Sequence, residues 1–239
     1  MTTSLTSPIS HFIDALWRLS DPERDERKEP RAIKINLEVG HRTVYHDTHP
    51  DAPNSPLYFN GRTKDNPEPG PLGVDEVGRA GLIFYEMLRH NRVTPTWICG
   101  IPNAGLPFGR ALSQMTRIQH LELVKGTGRS LDFSGRCPLG SDDLVLVIDD
   151  VIAEADTKER AAELLGGSGA KVIFFVLLDR QQGGRSSLAR NGYRLEAAFT
   201  VTELMLYLEG AERVGRSERD AVLAYPTILR NYQLHLPGT

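Results

Sequence analysis

The sequence has few of the features that mark secreted, membrane-spanning or nucleic-acid-binding proteins. Its 239 residues include only two cysteines, Cys99 and Cys137, which cannot form a disulfide framework or a multi-cysteine metal site. Its apolar runs are much shorter than the roughly 18 residues that a membrane-spanning helix needs. Lys and Arg total 28 against 31 Asp and Glu, so no basic surplus indicates nucleic-acid binding. The first residues lack the basic and long apolar stretches of a secretory signal, and we expect a cytoplasmic protein without membrane or nucleic-acid partners.

Hydrophobic residues make up 40% of the chain and charged residues 25%, which is typical of a globular protein with one large core. Apolar residues at helical spacing over residues 10–20 predict a short amphipathic helix. The next stretch, 21–31, is charged and bounded by prolines, which predicts a solvated linker. We therefore divide the chain into an N-terminal helix with its linker at 1–31 and a main domain at 32–239. The helix can dock on the main domain, which is the simpler expectation, or on a partner chain.

Strand and helix patterns alternate through the main domain. The clearest is LVLVI at 144–148, whose uninterrupted apolar character is typical of a strand covered on both faces of a parallel sheet. A helix pattern at 157–165 and a second apolar strand at 171–178 complete a right-handed crossover unit. Further patterns predict strands at 32–37, 96–99, 120–124 and 195–201, helices at 73–90, 108–115, 202–209 and 217–225, and loops at 41–71 and 125–140. The alternation predicts the α/β class with a doubly wound, mainly parallel sheet.

Two acidic residues, Asp149 and Asp150, directly follow the LVLVI strand. In an open parallel sheet, ligands bind outside the carboxyl ends of the strands, so the pair lies where we expect a ligand. Paired carboxylates there can accept hydrogen bonds from sugar hydroxyls, or hold a hard cation directly or through water. The alternative is that the two side chains end the strand and face solvent.

An ordered set of segments resembles the orotate phosphoribosyltransferase family of type I phosphoribosyltransferases. The segments are SPLYFN at 55–60, GIPNAGLPFG at 100–109, VLVIDDVIAEADTKERAAELL at 145–165, LLDRQQGG at 177–184 and FTVTELMLYL at 199–208. The resemblance runs from about residue 37 to near the C-terminus. It implies the type I phosphoribosyltransferase fold with a small hood, and transfer of a phosphoribosyl group from phosphoribosyl diphosphate to orotate or a related base in pyrimidine nucleotide synthesis. It also implies Mg²⁺ as cofactor and a homodimer.

The same resemblance implies roles for individual residues. Those implied to act in catalysis are Asp149 and Asp150 on the ribose hydroxyls and on Mg²⁺, directly or through water, with Lys125 and Arg129 on the mobile loop. Those implied to bind substrate are Tyr58, Phe59 and Arg180 at the base, Asn103, Ala104 and Gly105 at the diphosphate, and Ala153, Glu154, Ala155, Asp156 and Thr157 at the 5′-phosphate.

The 5′-phosphate loop departs from the family's pattern. The family usually has Thr-x-Gly-Thr where this chain has Ala153, Glu154, Ala155 and Asp156. A phosphate needs free amide donors at a helix start, and this loop adds two carboxylates. Asp156 and Glu159 also have the spacing of a capping box, which predicts that the helix start is satisfied by its own side chains. Two hypotheses therefore stay open: a divergent orotate-type enzyme, or a protein of the same fold that has lost catalysis and now binds, regulates or scaffolds.

Three histidines and one arginine have two interpretations each. His41, His46 and His49 lie in a short segment that suggests a metal site, although their spacing fits no structural-zinc pattern and a surface loop also collects such residues. Arg180 can clamp the carboxylate of an orotate-like base, because a guanidinium binds a carboxylate through two hydrogen bonds. It can instead form an ion pair that ties the strand ends together, with Asp179, Asp149 or Asp150.

Overall fold

The structure is a computed structural model that describes residues 5–127 and 130–235. Its helices are, in chain order, α1 (Ser7–Arg18), α2 (Glu23–Glu26), α3 (Val74–Asn91), α4 (Gly105–Thr116), α5 (Asp156–Gly166), α6 (Gly184–Arg190), α7 (Val201–Gly210) and α8 (Arg216–Leu234). Its strands are β1 (Ile33–Ile35), β2 (Leu57–Phe59), β3 (Trp97–Gly100), β4 (Gln119–Leu121), β5 (Leu123–Lys125), β6 (Leu131–Phe133), β7 (Leu144–Ile152), β8 (Lys171–Asp179) and β9 (Arg194–Thr200). A 3₁₀ helix lies at Val44–Asp47.

A five-stranded sheet lies at the centre of the described residues, in the strand order β4-β3-β7-β8-β9. Its four strand pairings are all parallel. Helices α5 and α6 cover one face, and α3, α4 and α7 cover the other. The α/β fold with a doubly wound, mainly parallel sheet, expected from the sequence, is therefore confirmed.

The central strand β7 explains why its apolar run does not alternate with polar residues. Leu146 and Ile148 pack into the core on the α3–α4 side, while Val145 and Val147 pack into the core on the α5–α6 side. Successive strand residues project to opposite faces, so a strand buried on both faces needs apolar residues throughout. This burial carries β7 past the predicted end at residue 148 to Ile152, which places the acidic pair inside the strand.

Helix α1 docks on the body of its own chain. Phe12, Ile13 and Leu16 are fully buried in the same core as α3. Asp14 Oδ1 accepts hydrogen bonds of 2.7 Å from Tyr207 Oη and from Arg213 Nη1, which anchors α1 near the end of α7. The stretch expected to be a linker contains the short exposed helix α2. The division of the chain at residue 31 stays a prediction.

Two small antiparallel hairpins lie outside the central sheet. Strands β1 and β2 pair with Ile33 opposite Phe59, and they form the hood expected from the sequence. Strands β5 and β6 pair with Leu123 opposite Phe133. The single strand predicted at 120–124 is wrong, because the chain leaves the central sheet at Glu122 and continues into this second hairpin. The same pairing adds a strand to the loop predicted at 125–140.

Helix α8 continues to Leu234, past the end predicted at residue 225. Proline lacks the N–H that an interior helical position donates, so Pro226 is an unusual residue inside this helix. The structure keeps Pro226 inside the helix, since Val222, Tyr225 and Leu229 form one buried face on both sides of it. No helix in the described part of the chain is long and apolar enough to cross a membrane.

Candidate active site

Three loops meet at the carboxyl ends of β3, β7 and β8. Gly100 is paired with Ile148, and Ile152 is paired with Asp179. The loops stay joined beyond the strands, because Ile101 N donates to Ile148 O at 2.9 Å and Arg180 N donates to Ile152 O at 2.8 Å. The structure thus brings together the segments that the resemblance implied for diphosphate, ribose, 5′-phosphate and base.

The acidic pair does not face solvent. Asp149 and Asp150 are 7% and 8% exposed, so the alternative of a strand end turned to water is wrong. The turn after β2 packs on the pair so closely that a Cβ atom at Gly61 would lie 2.5 Å from Asp150 Cβ. Burial first, and then the charge of Asp149, raise the pKa of Asp150 to about 7.

Lys158, which the sequence analysis missed, neutralises this pair from inside the protein. Its Nζ donates to Asp149 Oδ2 and, at 2.6 Å, to the carbonyl oxygen of Val151. The lysine is 5% exposed. One signal was available: Lys158 lies three and seven residues before Ala161 and Leu165, on the buried stripe of α5. A lysine on an apolar stripe needs a buried anionic partner, and the acidic pair is that partner.

The start of α5 is not capped in the way that the sequence predicted. The N-cap residue is Ala155, and it makes no side-chain cap hydrogen bond. The capping box is wrong because Glu159 turns to α6 instead, where its Oε1 accepts from Ser187 Oγ at 2.8 Å and from Asn191 Nδ2 at 2.9 Å. The first-turn amides of α5 are therefore left without the side-chain caps expected from Asp156 and Glu159.

Glycines hold the loop after β3 against β7. A Cβ atom at Gly100 would lie 2.5 Å from Gly105 O, and a Cβ atom at Gly105 would lie 2.3 Å from Ile148 O. Neither position admits another residue without a backbone shift. The peptide bond between Pro102 and Asn103 is cis. Asn103 and Ala104 are half-buried next to this bond, and Gly105 opens α4 beside Asp149.

Arg180 connects the central sheet to the hood. Its Nη2 donates to Ser55 Oγ at 2.6 Å and to Leu57 O at 3.1 Å. The ion pair considered for Arg180 is wrong, because Asp179 pairs with Arg185 at 2.9 Å and Asp149 pairs with Lys158. Burial lowers the pKa of the Arg180 guanidinium.

The space beside Arg180 is small. A cavity of about 10 Å³, close to the size of one water molecule, is lined by the hood, Arg180 and α8. Tyr225 of α8 closes one side, and its Oη donates to Pro53 O at 2.9 Å. Of the two aromatic residues implied to contact a base, Phe59 packs into the core, while Tyr58 is half-buried with its ring 5.8 Å from that of His41.

Of the two cations implied for catalysis, one lies in the second hairpin and the other lies outside the described residues. Lys125 ends β5 with an exposed side chain, opposite Leu131 in the hairpin. Arg129 lies outside the described residues. The roles of both stay predictions.

The histidine segment has a structural role. The Nδ1 of the buried His46 accepts from Thr43 N at 2.9 Å, and its Nε2 lies 3.0 Å from Ala52 O. The ring of His49 stacks on Tyr45 at 4.1 Å between ring centres. Within residues 5–127 and 130–235, no group of three or more His, Cys, Asp and Glu side chains is arranged to hold a metal ion.

The acidic pair also does not fit direct magnesium coordination by Asp149. Its Oδ2 is occupied by Lys158, and its Oδ1 accepts the N–H of Asp150 at 3.0 Å. A lysine ammonium on the same carboxylate repels a divalent cation. Of the two carboxylates of the acidic pair, only that of Asp150 is left as a direct ligand for a magnesium ion.

The chain is similar in sequence to uridine 5′-monophosphate synthases and orotate phosphoribosyltransferases. It is 30% identical over 144 residues to uridine 5′-monophosphate synthase from Bos taurus, a match that covers 58% of this chain and 29% of that protein. It is 26% identical over 136 residues to orotate phosphoribosyltransferase from Sulfurisphaera tokodaii, which covers 54% of this chain and 66% of that protein. No protein-family profile matches the chain.

Comparison with solved structures establishes the fold. UMP synthase from Leishmania donovani superposes with a TM-score of 0.66 at 21% identity, over 93% of this chain and 42% of that one. The chain therefore has the type I phosphoribosyltransferase fold. The resemblance to orotate phosphoribosyltransferases is confirmed, and the low identity makes the chain a divergent relative.

Proposed function

We propose that this chain transfers the phosphoribosyl group of phosphoribosyl diphosphate to orotate or a related base, as a step of pyrimidine nucleotide synthesis. The observation that supports this most is the meeting of three loops around a buried acidic pair at the carboxyl ends of β3, β7 and β8. The chain covers 29% and 66% of the two relatives above, so the activity is carried over as a proposal.

In the proposed reaction, the bond between ribose C1′ and the diphosphate oxygen breaks, and diphosphate leaves with the electron pair. A bond forms between C1′ and a ring nitrogen of the base, and the proton of that nitrogen is lost to the departing diphosphate or to water. The transition state is loose and oxocarbenium-like, so the protein contributes by holding two substrates in line and by stabilising the leaving diphosphate. The glycine-lined loop after β3 is the proposed diphosphate site.

The start of α5 is the proposed 5′-phosphate site. Its first-turn amides lack a side-chain cap at Ala155, and a helix N-terminus favours an anion. The side chain of Asp156 is 62% exposed and lies 4.0 Å from Arg160, so solvent and a cation weaken its repulsion of a phosphate. The other carboxylate of this loop belongs to Glu154, which lies near Tyr225 of α8. There its charge, together with burial, raises the pKa of the Tyr225 hydroxyl.

The acidic pair is the proposed site of the ribose hydroxyls. Lys158 holds the Asp149 carboxylate in place by a hydrogen bond, while Asp150 lies buried under Gly61 near the end of β7. Arg180 is the proposed partner of the base carboxylate, with donors beyond the Nη2 that holds Ser55 and Leu57. A base requires more room than the cavity beside Arg180 provides, so binding requires the hood or α8 to move.

We also propose that magnesium enters bound to the diphosphate and takes no direct ligand from Asp149, because both oxygens of that carboxylate are engaged. Titration with Mn²⁺ tests this: no stoichiometric binding is expected without phosphoribosyl diphosphate. A homodimer is proposed on the resemblance, and sedimentation equilibrium tests it. The cytoplasmic location stays a prediction from the sequence.

Product formation tests the function. The protein is incubated with phosphoribosyl diphosphate, Mg²⁺ and orotate, with uracil and xanthine in parallel, and nucleotides are measured by mass spectrometry. We expect orotidine monophosphate, a loss of at least about 100-fold in Asp150→Asn, and unchanged turnover in the matched control Asp142→Asn, which alters an exposed loop acid. Absence of product with every base would contradict the proposal.

A further inference from the structure

The N–H of Gly100 occupies an unusual position at the end of the sheet. The pairing of β3 with β4 ends at Cys99 and Leu121, and on the other side Ile101 N donates to Ile148 O of β7 at 2.9 Å. Since N–H groups alternate along a strand, the N–H of Gly100 points to the β4 side. There the pairing of the two strands ends at Leu121, and the chain turns away into the β5–β6 hairpin.

The imidazole of His120 contacts this N–H from the side of α4. Its Nε2 accepts the N–H of Gly100 at 3.2 Å. The contact depends on Gly109 of α4, since a Cβ atom there would lie 2.8 Å from Gly100 N and 2.9 Å from His120 Nε2. The His120 side chain is 12% exposed, so water competes little for this hydrogen bond.

The hydrogen bond fixes the protonation state of His120. A backbone N–H only donates, so Nε2 must be unprotonated and Nδ1 must carry the proton. Nδ1 lies 3.3 Å from Glu122 Oε2, and the other oxygen of Glu122 contacts Arg110 of α4. A continuous set of contacts therefore runs from Arg110 through Glu122 and His120 to Gly100, the last residue of β3.

The charged and titratable groups around His120 favour the neutral ring. Burial lowers its pKa first, Glu122 raises it, and Arg110 lowers it again, with a net pKa below the ordinary 6.5. The β3 residue opposite His120 is Ile98, which does not titrate. Cys99 packs on the other face of the sheet, where burial and then Glu122 raise its pKa to about 12, so the thiol stays neutral. When the pH falls below the pKa of His120, Nε2 gains a proton. The new N–H of the ring then faces the N–H of Gly100, and the hydrogen bond between them is lost.

We infer that His120 is a positioning residue that holds the loop 100–105 by accepting the N–H of Gly100, and that it releases this loop when its ring is protonated. The assignment of diphosphate as the ligand of the loop rests on the proposed function. The link between His120 and Gly100 does not. In the neutral state the loop is held ready for an anion, and acidification weakens anion binding there.

Amide NMR of the full chain tests the link without any substrate. We expect the Gly100 amide proton and the His120 ring to titrate together, with one inflection below pH 6.5. In His120→Gln, whose Oε1 can still accept, the Gly100 resonance keeps its hydrogen-bonded position and the inflection disappears. In His120→Leu it moves upfield at every pH. A Gly100 resonance that is the same in wild type and His120→Leu, or that does not titrate with His120, would overturn the inference.

Calorimetric titration with inorganic diphosphate and Mg²⁺ tests the consequence. At pH 7.5 we expect His120→Leu to bind about tenfold more weakly, and His120→Gln to bind within about twofold of wild type. At a pH below the inflection measured for the His120 ring, His120→Gln should bind more tightly than wild type. His90→Gln, on the exposed end of α3, is the matched control. If neither wild type nor variants bind diphosphate, the proposed function fails, and the shared titration of Gly100 and His120 decides the inference by itself.

Discussion

The ammonium group of Lys158 lies against the carboxylate of Asp149, and the two side chains are 6% and 9% exposed. This buried pair joins the first turn of α5 to the strand whose end carries the acidic pair. It removes one negative charge from the site without a metal ion. Burial, and then the charge of Asp149, raise the pKa of Asp150 to about 7, and the charge of Lys158 opposes this rise.

We expect Lys158→Met to lower the free energy of unfolding by about 3–5 kcal/mol, because it leaves a buried carboxylate without its cation. Urea denaturation followed by circular dichroism at pH 7 measures this. Lys171→Met, at the exposed start of β8, is the matched control and should change stability little.

The double variant Asp149→Asn/Lys158→Met shows whether the pair acts as a unit. Removing both charges removes the unpaired anion, so most of the lost stability should return. A double variant as unstable as Lys158→Met would mean that packing, or the hydrogen bond from Lys158 to Val151 O, dominates the effect.

Asp150 should make stability depend on pH in metal-free buffer. Its pKa is about 7 in the folded chain against an ordinary 3.8, so the folded state binds the proton more tightly. Its contribution is fully present below about pH 4 and is lost as the pH rises through about 7, at roughly 1.4 kcal/mol per pH unit between these values. Asp150→Asn lacks this loss, so its stability relative to wild type should rise from pH 4 to pH 8. Denaturation midpoints at pH 4, 6 and 8 measure it, and a constant difference would contradict the shift.

The central sheet could be predicted from the sequence because its signal is local. A strand covered on both faces must be apolar throughout, and β7 and β8 have this pattern in consecutive residues. The order of motifs then placed the acidic pair and its neighbouring loops at one edge of the sheet.

The parts that could not be predicted depend on partners distant in the chain. Glu159 has the spacing of a capping residue, yet Ser187 and Asn191 of α6 take its carboxylate. Arg180 binds Ser55, which lies 125 residues earlier. His120 accepts the N–H of Gly100, which lies 20 residues earlier. Local patterns do not contain such pairings.

We expect Ser55→Ala to lower the free energy of unfolding by about 2 kcal/mol, because hydrogen bonds to charged groups are worth roughly 1.5–3 kcal/mol. The substitution leaves a buried Arg180 donor without its 2.6 Å acceptor. Urea denaturation measures the change. Ser134→Ala, an exposed serine after β6, is the matched control, and equal effects of the two substitutions would contradict the role of the Arg180 contact.

Tyr225 should control how readily the space beside Arg180 opens. Its Oη donates to Pro53 O at 2.9 Å and thereby ties α8 to the hood. Tyr225→Phe removes about 1 kcal/mol of hydrogen bonding, so the amide of Ser55 should exchange with deuterium about fivefold faster.

The effect on base binding follows from the size of that space. Because the cavity of about 10 Å³ cannot hold a base, the apparent affinity is the intrinsic affinity multiplied by the open fraction. Tyr225→Phe raises the open fraction and should tighten orotate binding by up to about fivefold. Tyr85→Phe, on the exposed side of α3, is the matched control for both measurements. Faster exchange at Ser55 with weaker orotate binding would show that the Tyr225 hydroxyl contacts the base and does not act by holding the hood closed.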